Sequence, residues 1–101
     1  MTDVTIRRQD SAEGGRYVAT LPGTEGEAEL TYTRPAPGIV SANHTGVPDA
    51  MGGQGVGKAL VRALVDDAEA EGFRILPRCP FVARQASEHP DRADIFTTAQ
   101  R

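Results

Sequence analysis

The chain has 101 residues, of which 39% are hydrophobic and 25% charged, with a formal net charge of −3 and one cysteine. This length fits one globular domain with a single modest core, and the lone cysteine excludes a disulfide framework and a multi-cysteine metal site. The acidic balance gives no basic footprint for nucleic acid, and no apolar run approaches the roughly 20 residues that span a bilayer. Because the N-terminus also has no signal pattern, we expect a cytoplasmic protein, and we expect neither a membrane nor a nucleic acid among its partners.

The first half of the chain predicts an antiparallel meander of four strands. Short β-prone runs are separated by turns rich in glycine and proline. In the third run, Ala28, Leu30 and Tyr32 alternate with polar residues, which is typical of a half-exposed strand. The predicted strands are residues 4–8, 16–21, 27–34 and 39–47.

Residues 56–71 predict a long amphipathic helix. Their apolar side chains recur at helical spacing and form one stripe that would face the sheet. Gly72 is placed as the glycine that ends such a helix. Arg62 and Asp66, on the outer side, have the spacing of a helical ion pair.

The remaining residues predict one more strand and one more helix. Residues 73–76 would form a fifth strand, parallel to the fourth because the helix carries the chain across the sheet. A second helix would cover residues 80–89, with Pro80 at its first position, where a missing N–H breaks no bond. We therefore predict one compact α/β (or α+β) domain over residues 1–96, with a mixed, mainly antiparallel sheet and two helices, followed by a disordered tail at 97–101.

A glycine-rich turn joins the fourth strand to the first helix. Four of its six residues are glycine, and it opens directly into the helix. Since the N–H groups of such a turn and the unpaired first amides of the helix converge on one point, we expect an anion there, specifically a pyrophosphate. The alternative is a plain glycine-rich loop. The turn and its exit read Gly52-Gly53-Gln54-Gly55-Val56-Gly57-Lys58.

Two other glycine motifs fit this turn less well. The phosphate loop of nucleotide hydrolases, G-x-x-x-x-G-K, matches residues 52–58, but Ala59 stands where Ser or Thr must bind magnesium. The dinucleotide fingerprint G-x-G-x-x-G fails, because Lys58 occupies the position of its third glycine. A small nucleotide-binding protein is therefore the third hypothesis, behind the two that follow.

Three sequence blocks between Tyr32 and Phe96 resemble one family when taken together. In their order and joint spacing they are similar to the small, single-domain branch of the GCN5-related N-acetyltransferases. In the superfamily motif Q/R-x-x-G-x-G/A, Gly55 and Gly57 match, whereas Gly52 stands at the Q/R position and removes a side chain but no backbone amide. The blocks are His44-Thr45-Gly46-Val47-Pro48, the turn from Gly53 to Gly57 with Lys58-Ala59-Leu60, and Pro77-Arg78-Cys79-Pro80-Phe81-Val82 followed by His89-Pro90.

The resemblance implies an enzyme that moves an acetyl group from acetyl-CoA to an amine. The fourth and fifth strands would splay apart and admit the pantetheine arm of coenzyme A. The acceptor is not identified, and an open acceptor side would suit a protein or peptide amine. The alternative is a non-catalytic module that binds or senses acyl-CoA. The cofactor-binding residues would be Val47, Gly52, Gly53, Gln54, Gly55, Val56, Gly57 and Lys58.

Cys79 and His44 are the candidate catalytic residues. Cys79 precedes Pro80 at a helix start, where the dipole favours the thiolate, and the resemblance places it near the reactive end of the coenzyme; alternatively it is simply a small buried residue. His44 could deprotonate the incoming amine, or only close a strand end. Direct attack by the amine is the simplest route, and an acetyl-Cys79 intermediate is the variant. No cluster of metal ligands is present, so no metal is expected.

Overall fold

The computed structural model of the chain describes residues 4–88 and 90–97, with only the backbone of residue 93. Within this range one five-stranded sheet carries two helices on one face. His89 and the predicted tail residues 98–101 lie outside the described residues. The strands are β1 (Thr5–Asp10), β2 (Gly14–Leu21), β3 (Thr24–Ala36), β4 (Ile39–Gly46) and β5 (Arg74–Pro77), the helices are α1 (Val56–Glu71) and α2 (Pro80–Ser87), and 3₁₀ segments cover Asp49–Met51 and Pro90–Ile95.

The strands lie in chain order, and only the last pair is parallel. β1 to β4 are joined by antiparallel pairing, whereas β5 runs parallel to β4 because α1 carries the chain between them. The predicted fold class is confirmed. β3 begins three residues earlier than predicted, since the tight turn at Gly23 (φ 75°) pairs Leu21 with Thr24 at once.

The core lies between the sheet and the apolar stripe of α1. Leu60 and Leu64 are fully buried there, against a sheet face that includes Leu30 and Tyr32. Each such large apolar side chain stabilises the fold by about 1.5–3 kcal/mol. The predicted inward face of β3 is thus confirmed. In the described part of the chain, no helix has the length and apolarity to cross a membrane.

Two glutamates near the C-terminus of α1 oppose the helix dipole, and the structure gives each an arginine partner. Arg92 Nη2 lies 2.9 Å from Glu69 Oε1, and Arg8 Nη1 lies 2.6 Å from Glu71 Oε2. These ion pairs attach the end of α1 to the C-terminal 3₁₀ segment and to β1. These arginines therefore offset the unfavourable interaction of the two glutamates with the helix dipole.

The predicted ion pair between Arg62 and Asp66 is wrong. Asp66 accepts instead from Arg92 Nη2, at 3.3 Å. Arg62 forms no ion pair within residues 4–88 and 90–97. A tertiary partner from the C-terminal 3₁₀ segment has replaced the local helical one.

Candidate functional site

The glycine turn adopts a conformation that glycine favours and that leaves its outer side open. Gly53 and Gly55 both have φ of 75°, in the left-handed region. A Cβ built on either would meet no heavy atom within 4 Å. Gly55 is the N-cap of α1, no side chain caps the helix, and the first turn carries no acidic residue. The first amides of α1 therefore have no intrahelical acceptor and can serve an anion.

The predicted cofactor-binding residues follow one path from the end of β4 to the first turn of α1. Val47 is 37% exposed, and Gln54 and Lys58 are exposed. Val56 is buried in the core, so only its backbone amide can face a ligand. Among these predicted residues, the four glycines and buried Val56 can offer a ligand only backbone groups, and Gln54 and Lys58 add two polar side chains.

Gly57, which matches the family motif, also lies where α1 packs closely against α2. It is buried in the first turn of α1, and a Cβ there would lie 2.9 Å from Cζ of Phe81. Real Cβ atoms do not approach so closely, so the ring of α2 occupies the space that a side chain would need. A side chain at position 57 would require the Phe81 ring to shift, so glycine here allows the close contact between α1 and α2.

β4 and β5 separate before β4 ends. Their last paired residues are Ala42 and Pro77, and one more backbone bond follows, from Cys79 N–H to the Ala42 carbonyl at 2.9 Å. β4 continues to Gly46 with pairing to β3 alone within the described sheet. The far side of this last part of β4 is therefore an open edge, directly before the glycine turn.

A β-bulge lies at the point of separation. Across the β3–β4 pair, Ala42 faces Tyr32 and His44 faces Thr31, so Asn43 is the extra residue. A bulge bends its strand and re-aims the side chains that follow. Because Asn43 is an extra residue, the alternation of inward and outward side chains in β4 shifts by one position after it. This shift decides which of the next residues face the core.

Cys79 lies at the gap between the strands, at the N-cap of α2. It is 5% exposed, and its Sγ lies 3.5 Å from Oγ1 of Thr45. Burial raises the pKa of the Cys79 thiol, but the Thr45 hydroxyl and the backbone amides of Phe81 and Val82 outweigh burial, so the pKa lies below that of an ordinary thiol. The predicted preference for thiolate at this helix start agrees with this direction.

His44 is exposed and does not lie with Cys79. It is paired opposite Thr31, while the next residue, Thr45, faces Cys79. Because successive strand residues project to opposite faces, the His44 side chain leaves β4 on the side away from the thiol. Its role as a base stays a prediction. Within the described residues, no group of three or more His, Cys, Asp or Glu could hold a metal.

Sequence reasoning missed two residues: Thr45, which contacts Cys79, and Gln85, which lines a cavity beside the glycine turn. Thr45 lies inside the block from His44 to Pro48 that resembles the family. The sequence does not indicate which face of β4 it occupies, because the bulge at Asn43 changes the alternation of the strand. Gln85 is buried on α2, three residues after buried Val82. That helical spacing is a signal that could have placed Gln85 on the inner face.

The model of the GCN5-related N-acetyl-transferase family matches residues 16–95. The chain belongs to this family. Protein NATD1 of Bos taurus is 31% identical over 85 residues, which cover 84% of this chain and 75% of that protein. Protein NATD1 of Homo sapiens is 29% identical over 85 residues, with the same two shares.

A solved structure shares the fold of this chain. The NMR solution structure of a GCN5-like protein from Staphylococcus aureus superposes with a TM-score of 0.72 and 27% identity, over 100% of this chain and 95% of that one. The family match contains β4, the glycine turn and Cys79. Every predicted site residue therefore lies within the family domain.

Proposed function

We propose that this GCN5-related N-acetyltransferase moves an acetyl group from acetyl-CoA to an amine. The observation that carries the proposal is the continuity of two features: the open edge of β4, which β5 leaves after Ala42, and the glycine turn at the start of α1. An extended coenzyme arm along that edge would bring its pyrophosphate to the turn. Cys79 and Thr45 lie beside the same gap, where the acyl end would be.

The residues present fit acetyl-CoA as a substrate. The unpaired strand edge supplies backbone donors and acceptors of the kind that hold an extended, amide-containing chain. The turn supplies free amides without an opposing carboxylate in the first helical turn. Gly53 and Gly55 leave open space on its outer side, so a phosphate can approach the backbone closely.

Bound acetyl-CoA would supply an activated thioester, and the amine would form a C–N bond to its carbonyl carbon as the C–S bond breaks. The coenzyme would leave as its thiolate, which takes up a proton from solvent. The amine must lose one proton, and we assign that proton to His44 or to a water beside it, with the amine reaching the thioester through the gap from the sheet face that His44 occupies. His44 is exposed on β4, on the sheet face opposite α1 and α2, which no helix in the described part of the chain covers. That open face favours a protein or peptide amine as the acceptor.

The experiment compares Gly55→Trp with Gly23→Trp. Both glycines have φ of 75° and open space around their Cβ position, so both variants carry a similar left-handed strain, about 1–2 kcal/mol. Only Gly55→Trp places a ring where the pyrophosphate would lie. Calorimetric affinity for acetyl-CoA should fall by at least about tenfold, or 1.4 kcal/mol, in Gly55→Trp and stay unchanged in Gly23→Trp.

Two other results would decide against this function. A wild-type protein that fails to bind acetyl-CoA at millimolar concentration contradicts the coenzyme site itself. Binding without turnover against a panel of polyamines, peptides and protein N-termini leaves the non-catalytic acyl-CoA-binding module as the function.

A further inference from the structure

The outer face of the sheet, opposite α1 and α2, carries its side chains in rows that cross the strands. Ala28 and Leu30 are buried in the core, so Glu29 between them projects to the outer face. Its row and the next one both end on the last part of β4, where the sheet separates. The two rows are Arg7, Val18, Glu29, Gly46 and Gln9, Arg16, Thr31, His44.

Gly46 leaves a notch in this face at the last residue of β4. The imidazole of His44 leans over the glycine, since a Cβ built on Gly46 would lie 3.2 Å from Nε2 of His44. Glycine in a strand often marks a place that a ligand or another backbone approaches closely. Glu29 is the direct partner of Gly46 on β3. An imidazole and a carboxylate therefore flank the same notch.

The carboxylate of Glu29 has room for a second cation. Its Oε1 accepts a hydrogen bond from Arg16 Nη1 at 2.8 Å, while its Oε2 makes no hydrogen bond within residues 4–88 and 90–97. The side chain is 36% exposed, and an ionised carboxylate offers about four acceptor positions. A cation from solution can therefore bind Glu29 beside Arg16.

Two further carboxylates border this end of the sheet. Glu27 and Glu29 each have an arginine partner. Glu25, near the start of β3, and Asp49, just after β4, are exposed and form no ion pair with any residue that the structure describes. Uncompensated negative charge of this kind attracts cationic ligands and speeds their association.

We propose that the notch at Gly46 holds the positive side chain of a peptide acceptor, with Glu29 binding an arginine or lysine close to the amine that is acetylated. The proposal rests on the proposed function, because His44 and the gap at Cys79 locate the reacting amine. A guanidinium and a carboxylate form a charge-assisted, two-pronged contact. Glu29 is thus the residue that determines specificity for a basic acceptor.

Specificity is tested with matched peptides that each carry one amine and differ in one neighbouring residue. The neighbour is arginine, glutamine or glutamate, and the amine is either the N-terminus or a lysine side chain. In the wild type, kcat/KM should be about three- to fivefold higher with arginine than with glutamine, as for a partly exposed ion pair. High salt should bring this ratio towards one. Equal kcat/KM for the three neighbours at low salt overturns the proposal.

Two variants that break the same ion pair should have opposite effects. Glu29→Gln removes the carboxylate and should abolish the preference for the arginine peptide, whereas Arg16→Gln frees Oε1 of Glu29 and should increase it. Glu27→Gln is the control, because it makes the same change of charge on the same strand and breaks a similar pair with Arg7, 3.0 Å long. Surface ion pairs contribute little to stability, so all three variants should fold. Equal effects of Glu29→Gln and Arg16→Gln, or of Glu29→Gln and Glu27→Gln, overturn the assignment.

Calorimetric binding of the arginine peptide provides a readout that does not require acetyl transfer. Turnover of peptides without a preference for the positive neighbour overturns the role of Glu29 and leaves the transferase standing. Selective binding of the arginine peptide that depends on Glu29, without turnover, supports the notch and contradicts the transferase. Preference for a small diamine over every peptide, or self-association of the protein through this face, overturns the peptide assignment.

Discussion

Oγ1 of Thr45 lies 3.5 Å from Sγ of Cys79, and this contact spans the gap where β4 leaves β5. The hydroxyl comes from the edge strand that the coenzyme arm would follow, and the sulfur comes from the start of α2. Thr45 is the strongest of the influences that lower the pKa of Cys79. The contact therefore links the shape of the gap to the pKa of its thiol.

Replacing Thr45 should make the thiolate form of Cys79 less favourable. In Thr45→Val the hydroxyl that stabilises the charged sulfur is lost while burial remains, so we expect the pKa of Cys79 to rise. The ultraviolet absorbance of the thiolate can be followed against pH without ambiguity, because the chain has one cysteine. Thr31→Val, in the neighbouring strand, is the control and should leave the titration in place. An unchanged midpoint in Thr45→Val would show that the hydroxyl has no influence on the sulfur.

Replacing Cys79 distinguishes the two chemical routes. If the amine attacks the thioester directly, Cys79→Ala should keep most of its turnover, well short of the roughly 100-fold loss that follows removal of an essential proton-transfer group. Cys79→Ser is a useful companion, since serine is a favourable N-cap for α2. An acetylated Cys79 in the mass spectrum after brief mixing with acetyl-CoA, together with inactive variants, would falsify the direct route.

The helix and the glycine turn could be predicted because their signals are local. Apolar spacing defines α1, and four glycines in six residues define the turn, so both are visible without tertiary information. The bulge at Asn43 has no such local signal, because it depends on the pairing register between β4 and β3. The partner of Asp66 was mispredicted for a similar reason: Arg92, 26 residues away, competes with the helical neighbour.

A double-mutant cycle tests the packing role of Gly57. Gly57→Ala gains up to about 1 kcal/mol of helix propensity, but its Cβ would lie 2.9 Å from the Phe81 ring, and overpacking costs about 1–3 kcal/mol. We expect Gly57→Ala to lower the free energy of unfolding in the wild type and to be neutral or stabilising beside Phe81→Leu. A coupling of about 1 kcal/mol or more in urea unfolding would support the contact.

The same cycle separates packing from coenzyme binding. Alanine keeps the backbone amide of residue 57, so the double variant should bind acetyl-CoA with nearly wild-type affinity. Additive effects on stability would contradict the packing role. Lost affinity in the well-folded double variant would show instead that the ligand approaches Gly57 itself.

Asp10 should make the stability of the fold depend on pH under acid conditions. Burial raises the pKa of its carboxyl group, but the hydrogen bonds from Tyr32 and Arg34 and the charge of Arg8 outweigh burial, so the pKa lies below the usual aspartate value. Arg34 Nη2 lies 2.7 Å from Asp10 Oδ1. Between the folded and unfolded pKa values the unfolded chain binds more protons, so stability rises with pH across that window.

The stabilisation by Asp10 should thus be complete above about pH 4, the unfolded value, and disappear as pH falls through the folded-state pKa. Urea unfolding from neutral pH into acid should show a smaller acid loss in Asp10→Asn than in the wild type. Because the carboxylate is partly exposed, high salt should weaken the difference. The control is Glu25→Gln, which removes an exposed carboxylate without an ion pair in the described part of the chain. Parallel acid profiles for the wild type and Asp10→Asn would mean that the contacts of Asp10 are equally strong with the protonated acid.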